Sequence, residues 1–502
     1  MTSPRRSRSS TRPTSTRPTS GCCPPTCATA SSSTRPPSSR APAPELGRSG
    51  ANPPANEPRP RRYHGRVTGI TAALPPGPPL PRAVQAALLA RYWPRFVAAC
   101  HRRYGAAFTL RVSSLGTIVY LADSADMKAV FAGSPHIFHA GEANSMLSGL
   151  LGDSSVLVID DEVHADRRRL MMAPFTRAAV DRQAAAMAEI AAEAITGWPV
   201  GRSFAVAPRM SAITLEVILR TVIGASDPAR LAQLRTVLPR LLNLNTVESL
   251  SIADSRLLQR RPWRGVRDRI AAADRLLYAE IAERRADPAL ADRTDALAML
   301  IRAAGEDGRA MTDRELRDQL MTLLLAGHDT TATALSWALE RLTRHPEILA
   351  KATNAAETGD DDYLDAVAKE TLRIRPVVFD VGRVLTEPVD IAGYRLPAGV
   401  MVAPGIGLAH ADAARYPDPG RFDPDRMVGT TPGPTDWLPF GGGNRRCLGA
   451  TFALTEMRVV LREVLRRVDW ETTDEPGERQ RVKHVVLTPH RGGRVTARAI
   501  DS

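Results

Sequence analysis

The sequence predicts a mainly α fold with small β-sheets, gathered into a single large domain. Three observations carry this expectation. From Ala165 to about Ile348 the chain is dominated by long Ala/Leu/Arg-rich segments at helical period. Strand-like runs are short and few, at Phe108 to Val112, Thr117 to Ala122 and within Val377 to Ala403. Residues 1–70 are Ser, Thr, Pro and Arg with almost no large aliphatics, so the domain is expected to span 71–502 behind a disordered tail.

The tail explains most of the charge. Thirteen of the forty prolines, nine arginines and two glutamates lie in the first sixty residues, which therefore supply +7 of the net +13 and leave +6 for the body. A globally basic nucleic-acid binder would spread or stripe its excess over the folded body; here more than half sits in a segment too poor in apolar residues to fold, so the high pI is mostly a property of the tail. For the tail's arginines two readings stay open: a solvated extension, including one from a start codon placed too early, or a contact with anionic lipid or RNA. Cys22, Cys23 and Cys27 lie in the tail without a second pair at zinc spacing, and only Cys100 and Cys447 lie in the body, so a disulfide framework is excluded. No run of about eighteen apolar residues occurs and no apolar stretch follows the N-terminal arginines, so neither a spanning helix nor a secretory signal is expected. A cytoplasmic location is the default.

The body opens after the Pro-rich turn Leu74 to Pro81, with a helix expected from Val84 to His101. His164-x-x-x-Arg168 sets a histidine and an arginine one helical turn apart on one face. Further helices are expected over Arg177 to Ile195, Met210 to Ile223 and Val266 to Arg285. Before the last of these, Arg260-Arg261-Pro262-Trp263-Arg264 combines cations with an aromatic ring, suited to a solvated lid or at most a peripheral membrane contact.

The longest helix opens with the capping box Thr312-x-x-Glu315, carries Leu316, Leu320, Leu323 and Leu324 on an apolar face and runs to about Thr343 before Pro346. In its middle stands Ala326-Gly327-His328-Asp329-Thr330-Thr331. Glycine weakens the hydrogen-bond ladder, and a threonine hydroxyl can capture a backbone carbonyl. An acid beside an alcohol there can relay protons; a packing contact or a cap would use the same residue types. Glu370-x-x-Arg373 follows on a helix from about Tyr363 to Ile374 that stops before Pro376, with both charges on one face. If solvated, such a pair is worth very little.

The strongest local signal is Phe440-Gly441-Gly442-Gly443-Asn444-Arg445-Arg446-Cys447-Leu448-Gly449, a glycine-dense loop ending in a lone cysteine where the last helix, Gly449 to Val468, begins. Glycines let backbone approach a flat ligand closely. Amide N–H groups at a helix start favour thiolate, the form a soft metal ligand must take. Arg445 sets a permanent cation nearby, suited to a carboxylate on the rim of a cofactor.

These ten positions match F-x-x-G-x-R-x-C-x-G at every fixed position, and the chain resembles the bacterial members of the cytochrome P-450 family from about residue 75 to 495. The resemblance implies the cytochrome P-450 fold and one haem b (iron protoporphyrin IX) ligated by Cys447, with Phe440, Gly441 and Gly449 in the loop beneath it. It implies that Arg445, Arg383, His164 and Arg168 serve the two haem propionates. It assigns Thr330 a hydrogen bond to dioxygen and Asp329 the delivery of protons. Glu370 and Arg373, with Arg426 from Phe422-Asp423-Pro424-Asp425-Arg426, would form a buried structural triad behind the haem. By position, substrate contacts would come from Met146, Leu147 and Leu150, from Leu323 and Ala326, and from Val378 and Phe379, all apolar.

The activity so implied is monooxygenation of a lipophilic small molecule with dioxygen. The chain carries no flavin or iron–sulfur signature, so electrons would come from a separate ferredoxin or flavodoxin with its NAD(P)H reductase. The arginines at 167–169, 445 and 446 would draw an acidic partner to the cysteine side. Two rivals remain. A haem-thiolate isomerase or dehydratase needs no external electrons, and the intact Asp329-Thr330 pair counts against it. A haem sensor or lipophile binder would need the cysteine and a pocket but no relay, and would show no turnover.

Overall fold

The computed structural model describes residues 73–498, apart from 114, 226, 243, 245–247, 249–262, 306–307 and 434. The expected tail with its three cysteines, and positions 260–262 of the expected lid, lie outside the described residues. Helix α1 (Arg82–Tyr104) kinks at Tyr92, whose φ is −135°, two residues before Pro94. It leads into strands β1 (Ala107–Val112) and β2 (Gly116–Leu121), paired antiparallel from Ala107↔Leu121 to Val112↔Gly116. Strands β3 (Phe138–His139), β4 (Arg383–Leu385) and β5 (Met401–Pro404) complete a five-stranded sheet of order β1-β2-β5-β4-β3. Only the β2–β5 pair is parallel, in register Ile118↔Met401.

Helix α2 (Asp161–Met172) carries His164 and Arg168. The helix expected over Arg177 to Ile195 is instead two, Arg177–Asp181 and α3 (Ala184–Ile195), with neither Gly nor Pro marking the break. Helix α4 (Ala207–Val217) continues into a π-helical turn, Ile218–Ile223, which ends at left-handed Gly224 (φ 70°). Helix α5 (Arg264–Ala286) starts behind Trp263.

Helix α6 (Asp313–Leu342) has the expected capping box, in which the Glu315 amide donates to Thr312 Oγ1 and the Thr312 amide donates to the Glu315 carboxylate. Its 30 residues span about 45 Å. It packs against α4, α5 and two later helices, α7 (Asp361–Ile374) and α8 (Ala450–Arg467). Leu320, Leu335, Trp337 and Leu339 on it are fully buried, so this helix is the axis of the main core. Strands β6 (Gln480–Lys483) and β7 (Val486–Pro489) form a hairpin beside it, and Trp337 Nε1 donates to the Leu487 carbonyl at 2.8 Å. The prevalence of helix and the small sheets are as the hydrophobic periods predict.

A half-buried acidic residue ties α1 to the segment between α7 and β4: Trp93 Nε1 donates to Asp380 Oδ2 at 2.9 Å. Burial pushes the Asp380 pKa from 3.8 up to about 6, against the hydrogen bonds from Tyr120 and Trp93. The native state therefore binds this proton more tightly than the unfolded chain. The group's stabilising contribution is complete below about pH 4 and is lost as pH rises through about 6. Asp380→Asn, which keeps an acceptor for Trp93, is expected to raise the melting temperature at pH 7.5 relative to wild type and to change it little at pH 4; thermal melts at both pH values check this.

Candidate active site

The cysteine loop is built by close backbone approach. Gly441 and Gly443 have φ of 65° and 66°, and a Cβ on Gly443 would lie 1.9 Å from the Phe131 carbonyl oxygen, so no other residue fits there. The Cys447 amide closes the loop onto the Phe440 carbonyl at 2.9 Å, and the Phe440 ring stands edge-on to Trp437 at 5.7 Å. Gly449 caps α8 and leaves open space around its Cα. The Cys447 side chain is exposed, yet desolvation dominates its electrostatics and pushes the thiol pKa up. The Gly449 amide, Arg446 and Arg168 pull in the opposite direction. The helix start therefore favours thiolate, as the sequence suggests, but desolvation outweighs it.

Three guanidinium groups and a histidine converge beside this loop. His164 is buried on α2, and burial together with Arg445, Arg168 and Arg383 lowers its pKa to about 4. Arg168 Nη2 donates to the Arg446 carbonyl at 2.7 Å. Arg445 donates to the carbonyls of Val156 and Ile159 at 3.1 and 2.6 Å and pairs with Asp160. Arg383 is buried with a hydrogen bond to the Gly382 carbonyl at 2.7 Å and no ion-pair partner among the described residues. Burial lowers the pKa of Arg383 and of Arg445 to about 10. The Asp160 carboxylate alone is too little negative charge for three guanidinium groups, and buried cations of this kind require an anion.

On α6, Thr330 Oγ1 donates to the Ala326 carbonyl at 2.6 Å, the capture expected of a helix threonine, and the helix remains continuous around it. Ala326 is exposed near the middle of this helix, and it shares a face with half-buried Leu323 and Thr330. Asp329 points about 100° away. It opens onto a cleft of about 1240 Å³ lined also by Ser211, Glu216, Thr333 and Arg481, and it pairs with Lys483 of β6 at 2.9 Å. His328 turns into the core, where Thr214 Oγ1 and Ser211 Oγ lie 2.8 and 3.1 Å from its ring nitrogens, and burial lowers its pKa to about 4.

Glu370, Arg373 and Arg426 come together. Glu370 and Arg373 are fully buried, with paired contacts of 2.7 and 2.8 Å, and Arg426 Nε lies 3.3 Å from Glu370 Oε1. The Asp423 amide donates to the same oxygen at 3.0 Å. The remaining Arg373 donors reach the carbonyls of His410, Pro419 and Arg421.

The apolar positions divide. Met146 is exposed, and Leu147 and Leu323 pack partly buried against the main core, in which Leu150 is buried. Val378 is half-buried, whereas Phe379 is buried in another cluster, edge-on to Trp93 at 6.1 Å. The arginine run also divides: Arg167 is buried and paired with Glu315 at 2.7 Å, Arg168 is half-buried, and Arg169 and Arg446 are exposed. Sequence reasoning missed Asp160, Lys483 and the His328 contacts. The Arg445–Asp160 and Lys483–Asp329 pairs join residues 285 and 154 positions apart, beyond any local spacing rule.

A model of the cytochrome P450 family matches residues 75–497. The chain belongs to the cytochrome P450 family. The protein named cytochrome P450 135B1 of Mycobacterium tuberculosis is 69% identical over 432 residues, covering 85% of this chain and 92% of that protein. Cytochrome P450 135A1 of the same species is 41% identical over 425 residues, 84% of this chain and 95% of that protein. Among solved structures, the retinoic acid-bound cyanobacterial CYP120A1 superposes with a TM-score of 0.73 at 24% identity, over 85% of this chain and 99% of that one. The haem domain of cytochrome P450DA gives 0.74 at 23%, over 86% and 98%. These two likenesses establish the fold.

As a cytochrome P450, the protein is a haem-dependent monooxygenase whose cofactor is haem b. The residues present fit that group. A dianionic cofactor would supply the negative charge that Arg383, Arg445 and Arg168 call for, and the exposed Cys447 would offer a thiol.

Proposed function

We propose that Cys447 ligates the haem iron and that the protein inserts one oxygen atom of dioxygen into a lipophilic small molecule. The observation that carries this reading is the convergence of Arg168, Arg383 and Arg445, with neutral His164 among them, beside the Cys447 loop, a guanidinium excess matched to two propionates. Haem held by a thiolate supplies oxygen activation. The chain's own residues do the rest. Arg383 and Arg445 would hold the cofactor's rim, and Gly441 and Gly443 would let the loop approach it closely. Thr330 presents its hydroxyl beside exposed Ala326, and Asp329 takes protons from the solvent cleft at its carboxylate, where Lys483 orients it. Glu370, Arg373 and Arg426 keep the α7 side of the site in place.

Residues 71–502 form the haem-thiolate domain in this reading. Leu147, Leu150, Leu323, Ala326 and Val378 give the substrate site its apolar character, with Met146 and Phe379 at its margins. No described helix is long and apolar enough to cross a membrane, which is compatible with a cytoplasmic enzyme fed by ferredoxin or flavodoxin and its NAD(P)H reductase. The exposed Arg169 and Arg446 offer that acidic partner a basic surface. The test supplies a surrogate ferredoxin and reductase, a ligand found by spectral titration, and ¹⁸O₂. One labelled oxygen in the product is the expected result. Product without label, or formed without electrons, favours the isomerase; ligand binding with no product favours a sensor.

A further inference from the structure

His328 stands between Gly327 and Asp329 near the middle of α6 and takes no part in the chemistry assigned to Asp329 and Thr330. It belongs to a joint between this stretch and α4. A Cβ on Gly327 would lie 2.8 Å from Ile218 Cδ1, where α4 passes into its π-helical turn, so the glycine lets the two helices close up. Beside that contact the His328 ring is buried with a hydroxyl at each nitrogen: Thr214 Oγ1 lies 2.8 Å from Nδ1 and Ser211 Oγ 3.1 Å from Nε2. The Thr214 hydroxyl also faces two carbonyls, those of His328 at 3.2 Å and Ser211 at 3.4 Å, and the shorter contact takes its single hydrogen. Its oxygen is then an acceptor toward Nδ1. The imidazole proton therefore lies on Nδ1, and Nε2 accepts from Ser211. With the proton on Nε2, Thr214 would have to donate to the ring and the bond to the carbonyl would be lost. Burial lowers the ring's pKa to about 4, so it is neutral near pH 7. A neutral ring held at both nitrogens braces the helix and does not carry a proton. Asp329, the next residue, faces the cleft that Ser211 also lines, and it pairs with Lys483 at 2.9 Å. Lys483 belongs to β6, so this pair forms only while the turn of α6 keeps its rotation, and the His328 contacts resist that rotation from the α4 side.

We propose that His328, with its proton on Nδ1, is a positioning residue for Asp329: held by Thr214 and Ser211 of α4, it keeps the Asp329 carboxylate turned to the cleft and to Lys483. This role rests on the reading of Asp329 as the group that takes protons from that cleft; the tautomer does not.

Two measurements on the haem-loaded enzyme separate these claims. Nitrogen-15 NMR of histidine-labelled protein in its diamagnetic ferrous, carbon monoxide-bound form is expected to show a neutral ring protonated on Nδ1 at pH 7, identified by its loss in His328→Asn. A ring protonated on Nε2, or on both nitrogens, overturns the tautomer. Turnover is measured with the surrogate ferredoxin, its reductase, NADPH and the lipophile selected by spectral titration. His328→Leu is expected to slow product formation roughly 5-fold, the factor that one ordinary net hydrogen bond supplies, with haem content and lipophile affinity unchanged. Thr214→Val, which removes the hydroxyl and keeps the shape, should do the same and serves if the leucine variant does not fold. His328→Asn, whose amide can still donate to Thr214, is expected to recover most of the rate. Adding Thr214→Val to Asp329→Asn should cost nothing further, because the carboxyl that is positioned no longer titrates. Wild-type rates in both His328→Leu and Thr214→Val, or a full additional loss in the double variant, overturn the positioning role. If Asp329→Asn itself keeps the wild-type rate, the reading of Asp329 falls and the positioning role with it, while the tautomer stands.

Discussion

Asp329→Asn is expected to slow product formation by roughly 100- to 10,000-fold, the range that a positioned general acid contributes. The substitution keeps the shape of the side chain and an acceptor for Lys483, whose ammonium lies 2.9 Å away, so only the titratable proton is lost. Thr330→Ala is expected to behave differently. Its hydroxyl lies on another face of α6, bonded to the Ala326 carbonyl, and its removal should leave haem content, ligand binding and electron uptake intact while diverting electrons to hydrogen peroxide. Counting electrons consumed against product and peroxide formed distinguishes the two. Unchanged rate and coupling in both variants would reduce the pair to a shaping element of the helix and bring the sensor and isomerase readings forward.

The second large effect concerns the triad. Exposed ion pairs contribute about 0–1 kcal/mol, whereas removing one partner of a buried pair costs about 3–5 kcal/mol because the other charge is left stranded. Burial decides which regime applies, and Glu370 and Arg373 are 0% and 1% exposed. Arg373→Leu leaves the Glu370 carboxylate facing only Arg426 and one amide, and it removes the donors to three loop carbonyls. With total stabilities of about 5–15 kcal/mol, a loss of this size should unfold a visible fraction of the chain or strip its haem. Denaturant titration and haem stoichiometry check it. A midpoint within error of wild type would show that the pair is not structural.

What the sequence made legible was local. The Thr312–Glu315 capping box, the Thr330 hydroxyl bond and the bounds of α6 and α8 follow from spacing within a few residues, and all are found within one or two positions of expectation. The break between Arg177–Asp181 and α3 was not legible, because no Gly, Pro or capping residue announces it and tertiary contacts decide. Side-chain direction was legible only in part. Thr330 and Asp329 are neighbours in sequence, yet the helix turns them to different surfaces, and nothing near Asp329 announces Lys483. Likewise Arg167 to Arg169 read as one basic run, but helical geometry sends Arg167 inward to Glu315. The sign of the Cys447 shift was missed because the helix-start contribution is local and the desolvation that outweighs it is not.

The most direct test of the central claim, that Cys447 is the haem ligand, is the absorption spectrum of the reduced, carbon monoxide-treated protein, wild type beside Cys447→His. The account predicts a red-shifted, thiolate-type Soret band in wild type that is lost in Cys447→His and unaffected by replacing Cys100. A wild-type band at the unshifted position, or a red-shifted band that survives in Cys447→His, would contradict it.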